Sequence, residues 1–186
     1  MISKPSETID GLRELLLEKL LAIGFPMICS LDDLGATDWR SVKLGLTNML
    51  IAGGVTDIRI TRLASRRSQS GLTRVFSLVT ELRPDAAIYC ALEAHSAALP
   101  GSVLDEMEST DLPMGCILKQ AGIVVFYELI DTFCVYTAPG GPLWGHGRTV
   151  LLRNEKGELC ARSVEVLNGS AQDIFSHEHD RATDSR

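Results

Sequence analysis

Two ionisable side chains stand where aliphatic ones are expected. Arg74 lies within Leu72-Thr73-Arg74-Val75-Phe76, and Glu165 lies between Val164 and Val166. A guanidinium in an apolar strand must be paired or reach water, because stranding it there is costly. Its planar fork matches a carboxylate bidentately, so a small acidic ligand is one way to satisfy it. The other way is a structural ion pair, with Glu81, Glu93 or Glu165 as partner. Glu165 is the complementary case. Burial disfavours its charged form unless a cation or donor offsets the cost, which makes it an acid/base, a hydroxyl binder, or half of a buried pair. Ser163 sits two residues earlier and on the same strand face, so both can project into one pocket.

Other candidates carry less chemistry. His146 and Arg148 fall in Trp144-Gly145-His146-Gly147-Arg148. Glycines on both sides suggest a loop, in which His146 is either a titrating catalytic group or a polar loop residue. His95 reads as a strand residue with a satisfied ring, and His177 and His179 as solvated. Histidines so dispersed make no metal-ligand pattern, and no metal site is expected. No Gly-x-Ser-x-Gly elbow, phosphate loop or His-Glu-x-x-His motif occurs, so covalent and metal-assisted routes have little support.

These residues must be held by elements whose outline is readable. Ile9 to Ile23 has leucines at helical spacing, with Ser6 or Thr8 as cap and Gly24 as stop. A second helix is predicted from Asp38 to about Ile51, ended by Gly53-Gly54. From Val55 the period changes to two, through Arg62, and the Ser65–Gly71 stretch reads as a turn. Leu72 to Glu81 and Ala87 to Ala97 read as strands joined at Arg83-Pro84-Asp85. Short helices follow Pro100 and Pro113, and a strand lies within Ile123 to Ala138. Pro139 to Pro142 is a loop. Arg148 to Arg153 and Glu158 to Leu167 form a last hairpin. The sum is an α+β fold with a single antiparallel β-sheet of about six strands and helices packed on it. It occupies 1–168 as one domain, and 169–186 reads as a polar, disordered tail.

Composition narrows the function. The 186 residues carry 45% hydrophobic and 23% charged residues, the balance of a globular protein with one core. A net charge of −6 argues against a nucleic-acid partner. The dense basic cluster Arg62, Arg66 and Arg67 sits in a Ser-rich segment and reads as a solvated loop. No apolar run nears the roughly 20 residues of a membrane span, and no secretory signal pattern opens the chain. Five single cysteines without a C-x-x-C pair fit reduced thiols and a cytoplasmic protein.

The order of these pieces resembles the chorismate pyruvate-lyase (4-hydroxybenzoate synthase) family. Leu46-Thr47 looks like its short Met/Leu-Thr motif near the ligand, and Leu72-Thr73-Arg74 like the strand holding its carboxylate-binding arginine. Leu112-Pro113-Met114-Gly115 resembles its Pro-Leu-Gly flap segment. Pro142-Leu143-Trp144-Gly145, with Arg148 beyond, resembles its Leu-Trp-Gly-Arg-Arg hairpin. The strand ending in Glu165 resembles the one presenting a glutamate to the ring hydroxyl. The likeness runs from about Leu44 to Leu167. It departs from the family at Met114 for Leu, at His146-Gly147 between the arginines, and in register, since a gap-free pairing puts Ser163 where the family has glutamate.

The resemblance implies a cofactor-independent elimination of pyruvate from chorismate, giving 4-hydroxybenzoate. Arg74 and Glu165 are then catalytic. Leu46, Thr47, Met114, Gly115, Arg148 and Ser163 line the substrate site, with Arg148 as a second carboxylate contact. The partner implied is a small aromatic acid precursor. Two other readings stay open: a non-catalytic small-molecule sensor of the same fold, and a subunit or scaffold protein built on the same core.

Overall fold

A computed structural model describes residues 9–24, 28–30, 58–80 and 87–168. The predicted helix at Asp38–Ile51, the Leu46-Thr47 motif, the Arg83-Pro84-Asp85 turn and the tail at 169–186 lie outside the described residues. Helix α1 (Ile9–Ala22) precedes strands β1 (Ile28–Ser30), β2 (Ile58–Arg67), β3 (Gly71–Thr80) and β4 (Ala87–His95). Helices α2 (Gly101–Ser109) and α3 (Met114–Gln120) follow, then β5 (Val125–Tyr136), β6 (Leu143–Asn154) and β7 (Leu159–Asn168). The strands form one antiparallel sheet in the order β1-β5-β6-β7-β4-β3-β2. The α+β class with one antiparallel sheet therefore holds. Six strands are long, and the three-residue β1 is too short to show a period in sequence.

Each face of the sheet has its own core, because side chains alternate across a strand. On one face Leu12, Leu16 and Leu20 of α1, all fully buried, pack on Val75, Tyr89, Ala91, Phe133, Val164 and Val166. Burying each of those leucines is worth roughly 1.5–3 kcal/mol. Helix α1 ends where expected: Gly24 takes φ 96°, and its N–H donates to the Leu21 carbonyl at 3.1 Å. Arg13 fixes the helix to the sheet. Its Nη2 donates to both Asp131 carboxylate oxygens, at 3.3 and 3.1 Å, and to Thr149 Oγ1 at 3.3 Å. Its guanidinium also lies 4.6 Å from the centre of the Phe133 ring.

On the opposite face α2 and α3 cover Leu72, Phe76, Leu78, Ile88, Cys90 and Leu92 with Val103, Leu104, Met107, Met114, Ile117 and Leu118. Pro100 and Pro113 are the N-caps of these helices rather than their first helical residues.

Three segments depart from expectation. Strand β2 runs on to Arg67, and only Ser68–Ser70 turns. After a bulge between Arg62 and Ala64, Ser65, Arg66 and Arg67 still pair with Arg74, Thr73 and Leu72. The arginines are thus on a strand, not in a solvated loop.

The Trp144–Gly147 segment is likewise inside β6 and not a loop. Its glycines serve close approach. A Cβ on Gly145 would collide with the Leu167 carbonyl, and one on Gly147 would enter the Phe133 ring. His146 between them is buried at 6% exposure, with Nδ1 3.6 Å from Cys134 Sγ. Finally, the His95 ring is not satisfied: its buried Nε2 has no hydrogen-bond partner among the described residues.

Asn154 organises the β6–β7 turn, and Arg153 Nη1 adds a bond to the Gly157 carbonyl at 3.2 Å. Asn154 Oδ1 accepts from the N–H groups of Lys156 and Glu158, both at 3.0 Å, and Gly157 supplies φ 78°.

Candidate functional site

The sheet register sets the site. Along one row across β3, β4, β7, β6 and β5, Phe76 faces Cys90, Cys90 faces Glu165, Glu165 faces Arg148, and Arg148 faces Thr132. The next row joins Arg74, Leu92, Ser163 and Val150. Arg74, Ser163, Glu165 and Arg148 therefore share the face that α2 and α3 cover.

Between that face and α3 lies a cavity of about 510 Å³. Its floor is Phe76, Leu78, Cys90, Leu92, Leu152, Ser163 and Glu165. Pro113, Met114, Gly115, Cys116, Leu118 and Lys119 cover it, and Val125 and Tyr127 of β5 close one side. A mostly apolar concavity with a few converging polar groups is the general form of a small-molecule site. Four predicted residues (Met114, Gly115, Ser163 and Glu165) line it.

Glu165 is 5% exposed and has donors on both oxygens. Arg148 Nε donates to Oε2 at 2.6 Å, and Ser163 Oγ donates to Oε1 at 3.0 Å. Arg148 is 1% exposed. Short charge-assisted bonds of this kind hold a carboxylate in place and offset its desolvation. The side chains of Ser163 and Glu165 touch, and both face the cavity.

Arg74 has a different environment. It is 2% exposed and is not among the residues lining the cavity. Its guanidinium lies 5.6 Å from the centre of the Phe76 ring, and that ring is part of the floor. Nη2 donates to the Thr110 carbonyl at 3.2 Å, and the buried Nε has no hydrogen-bond partner among the described residues. Burial, and then the nearby Arg62 charge, push the Arg74 pKa below its usual value. None of the three acids considered as its partner is seen to fill that place. Glu165 belongs to Arg148, Glu81 lies outside the described residues, and Glu93 is on the opposite face. There Glu93 Oε2 stands 2.8 Å from Arg162 Nε, an ion pair by distance in which the N–H is poorly aligned for a hydrogen bond.

Four further groups complete the site. Arg62 donates to the carbonyls of Glu108 at 2.6 Å and Thr110 at 2.7 Å, and to Asp111 Oδ1 at 3.0 Å. It thereby pins the link between α2 and α3, whose next residues, Pro113 to Cys116, cover the cavity. Tyr127 is raised to about 12, by burial first and then by the Glu165 charge. Burial and Glu165 also push the Cys90 thiol well above its usual value, leaving a protonated, inert group in the floor. Cys116 is the partly exposed thiol of the cavity wall. Of these, the two-residue period of Val125 and Tyr127 against exposed Phe126 and Glu128 was the available signal. Arg62 gave none, because its partners all lie in a segment remote in sequence.

Among the described residues no group of three or more His, Cys, Asp or Glu side chains could hold a metal ion. Nor is any described helix long and apolar enough to cross a membrane. No protein-family model matches the chain, and no curated protein matches it.

Proposed function

We propose that the protein is a cofactor-independent lyase that eliminates pyruvate from chorismate to give 4-hydroxybenzoate, or a close relative acting on a similar cyclic acid. The observation that carries this reading is the Ser163–Glu165 pair in the floor of an apolar cavity that Met114 and Gly115 also line. The reaction asks little chemistry of its catalyst. The ring C–O bond to the side arm breaks, its electron pair leaves with the enolpyruvate oxygen, and a ring proton is lost. Enolpyruvate takes up a proton to become pyruvate, and aromatisation drives the sequence. The protein need only orient the ring, place an acid at its edge and keep water out.

In this reading the buried Arg74, which does not itself line the cavity, acts on the ring carboxylate as the charge behind the Phe76 floor ring that its guanidinium faces at 5.6 Å. Glu165, kept in position by Arg148, assists removal of the ring proton. Arg148 serves as the holder of Glu165 instead of as a second carboxylate contact, because its Nε is already committed.

A second reading, a non-catalytic receptor for a small aromatic acid, is favoured by one feature: both Glu165 oxygens already have donors. The two separate in a paired experiment. Chorismate is added to the protein and pyruvate release is followed with a coupled dehydrogenase, while 4-hydroxybenzoate binding is measured by calorimetry. Release of pyruvate that Arg74→Ala abolishes supports the lyase. Binding without release supports the receptor, and neither result is compatible with a bare structural scaffold.

A further inference from the structure

Tyr127 is a polar group of the cavity wall with hydrogen-bonding capacity to spare. Glu165 is engaged at both oxygens, and the Ser163 proton is directed at Glu165 Oε1. Tyr127 projects from β5 on the same face as these residues, opposite Leu152, and lines the cavity with them. Its hydroxyl has no hydrogen-bond partner among the described residues. A phenol at a cavity wall bonds to water until a ligand oxygen takes that place. The cavity is where such a partner can enter.

We propose that Tyr127 is a specificity-determining residue of this cavity, donating a hydrogen bond to an oxygen substituent on the bound ring. It thereby selects hydroxylated or ether-bearing cyclic acids over unsubstituted ones. The inference rests on the small-acid site proposed above and adds to it a partner for the ring oxygen, while Glu165 keeps its role at the ring proton. The phenol keeps its proton far above neutral pH, through burial and the Glu165 charge, so it acts as a donor throughout the working range. Lys119, the other cavity-lining donor with a full charge, is exposed on α3 and suits a carboxylate better than a neutral oxygen.

The test is calorimetric titration of the whole chain, as wild type and as Tyr127→Phe, with 4-hydroxybenzoate and with benzoate. Phenylalanine keeps the ring and removes only the oxygen. The wild type is expected to prefer 4-hydroxybenzoate by roughly five- to tenfold, the worth of one neutral hydrogen bond. In Tyr127→Phe that preference should collapse to near parity while benzoate affinity holds. A preference that survives the substitution, or an equal loss for both ligands, overturns the specificity role and leaves the site standing. Failure of the wild type to bind either acid overturns the site and this inference together.

Discussion

Arg148 Nε lies 2.6 Å from Glu165 Oε2, and the two residues are direct partners in the β6–β7 ladder. Both are almost wholly buried. Such a pair depends on both members being present, because either one alone is an uncompensated charge in a low-dielectric site. Arg148→Met should therefore cost about 3–5 kcal/mol. Arg148→Met combined with Glu165→Gln should cost clearly less than the single change. Urea unfolding of the variants decides this, and a double variant no more stable than Arg148→Met would show that the pair is not the source of the loss.

Gly147 makes a steric prediction. Its position leaves no room for a Cβ against Phe133, so Gly147→Ala should lower stability by about 2 kcal/mol or more. Shrinking the obstacle should repair it: Gly147→Ala with Phe133→Leu is expected to unfold at higher urea than Gly147→Ala alone. A loop glycine retained for flexibility would show no such rescue.

His95 gives a pH dependence. Burial, with the Arg162 charge second, lowers its pKa below the ordinary value of 6.5, and its Nε2 has no hydrogen-bond partner among the described residues. The unfolded chain then binds the proton more readily than the native one, so stability falls as pH drops through about 6.5 toward the lower native pKa. Replacing His95 by Gln should flatten the urea midpoint over that interval. An unchanged slope would place the acid sensitivity elsewhere.

Tyr127 contributes at the other extreme. With its native pKa raised to about 12, the folded protein retains a proton that the unfolded chain loses near 10. Stability should fall as pH rises between those values, and Tyr127→Phe should remove that part of the loss. Ultraviolet titration of tyrosinate absorbance, compared between wild type and variant, reports the assignment directly.

Cys116 offers a chemical probe of the cavity. Cys90, Cys134 and Cys160 are buried, whereas Cys116 is partly exposed and lines the wall. Iodoacetamide should label Cys116 well ahead of those three, and saturating 4-hydroxybenzoate should slow that labelling several-fold. Peptide mapping, with Cys116→Ser as control, identifies the thiol. Labelling indifferent to the acid would show that this cavity is not where it binds.

The periodic parts of this fold were legible in the sequence for a physical reason: leucines at helical spacing in α1 and alternation in β3, β4 and β7 are set by which face is buried. The shared orientation of Ser163 and Glu165 followed from the same rule. What could not be read depends on pairing between distant strands. Arg148 meets Glu165 through the β6–β7 pairing, Glu93 is set on the far face from Arg74 by the β3–β4 register, and Phe76 and Cys90 share a row with Glu165 only because β4 lies beside β7. The β2 arginines looked solvated because their composition is polar, yet Arg62 is used up on the carbonyls at the end of α2. In β6, Gly145 and Gly147 suggested a loop, and the crowding that requires them comes from Leu167 and Phe133.

Arg13 grips Thr149 from behind, and Thr149 is the immediate neighbour of Arg148, whose side chain points the other way. The first helix thus backs the strand that steadies the acid. Prising that helix loose would not empty the chamber in front; it would let the carboxylate wander, and the damage would register as blurred aim before any loss of grip.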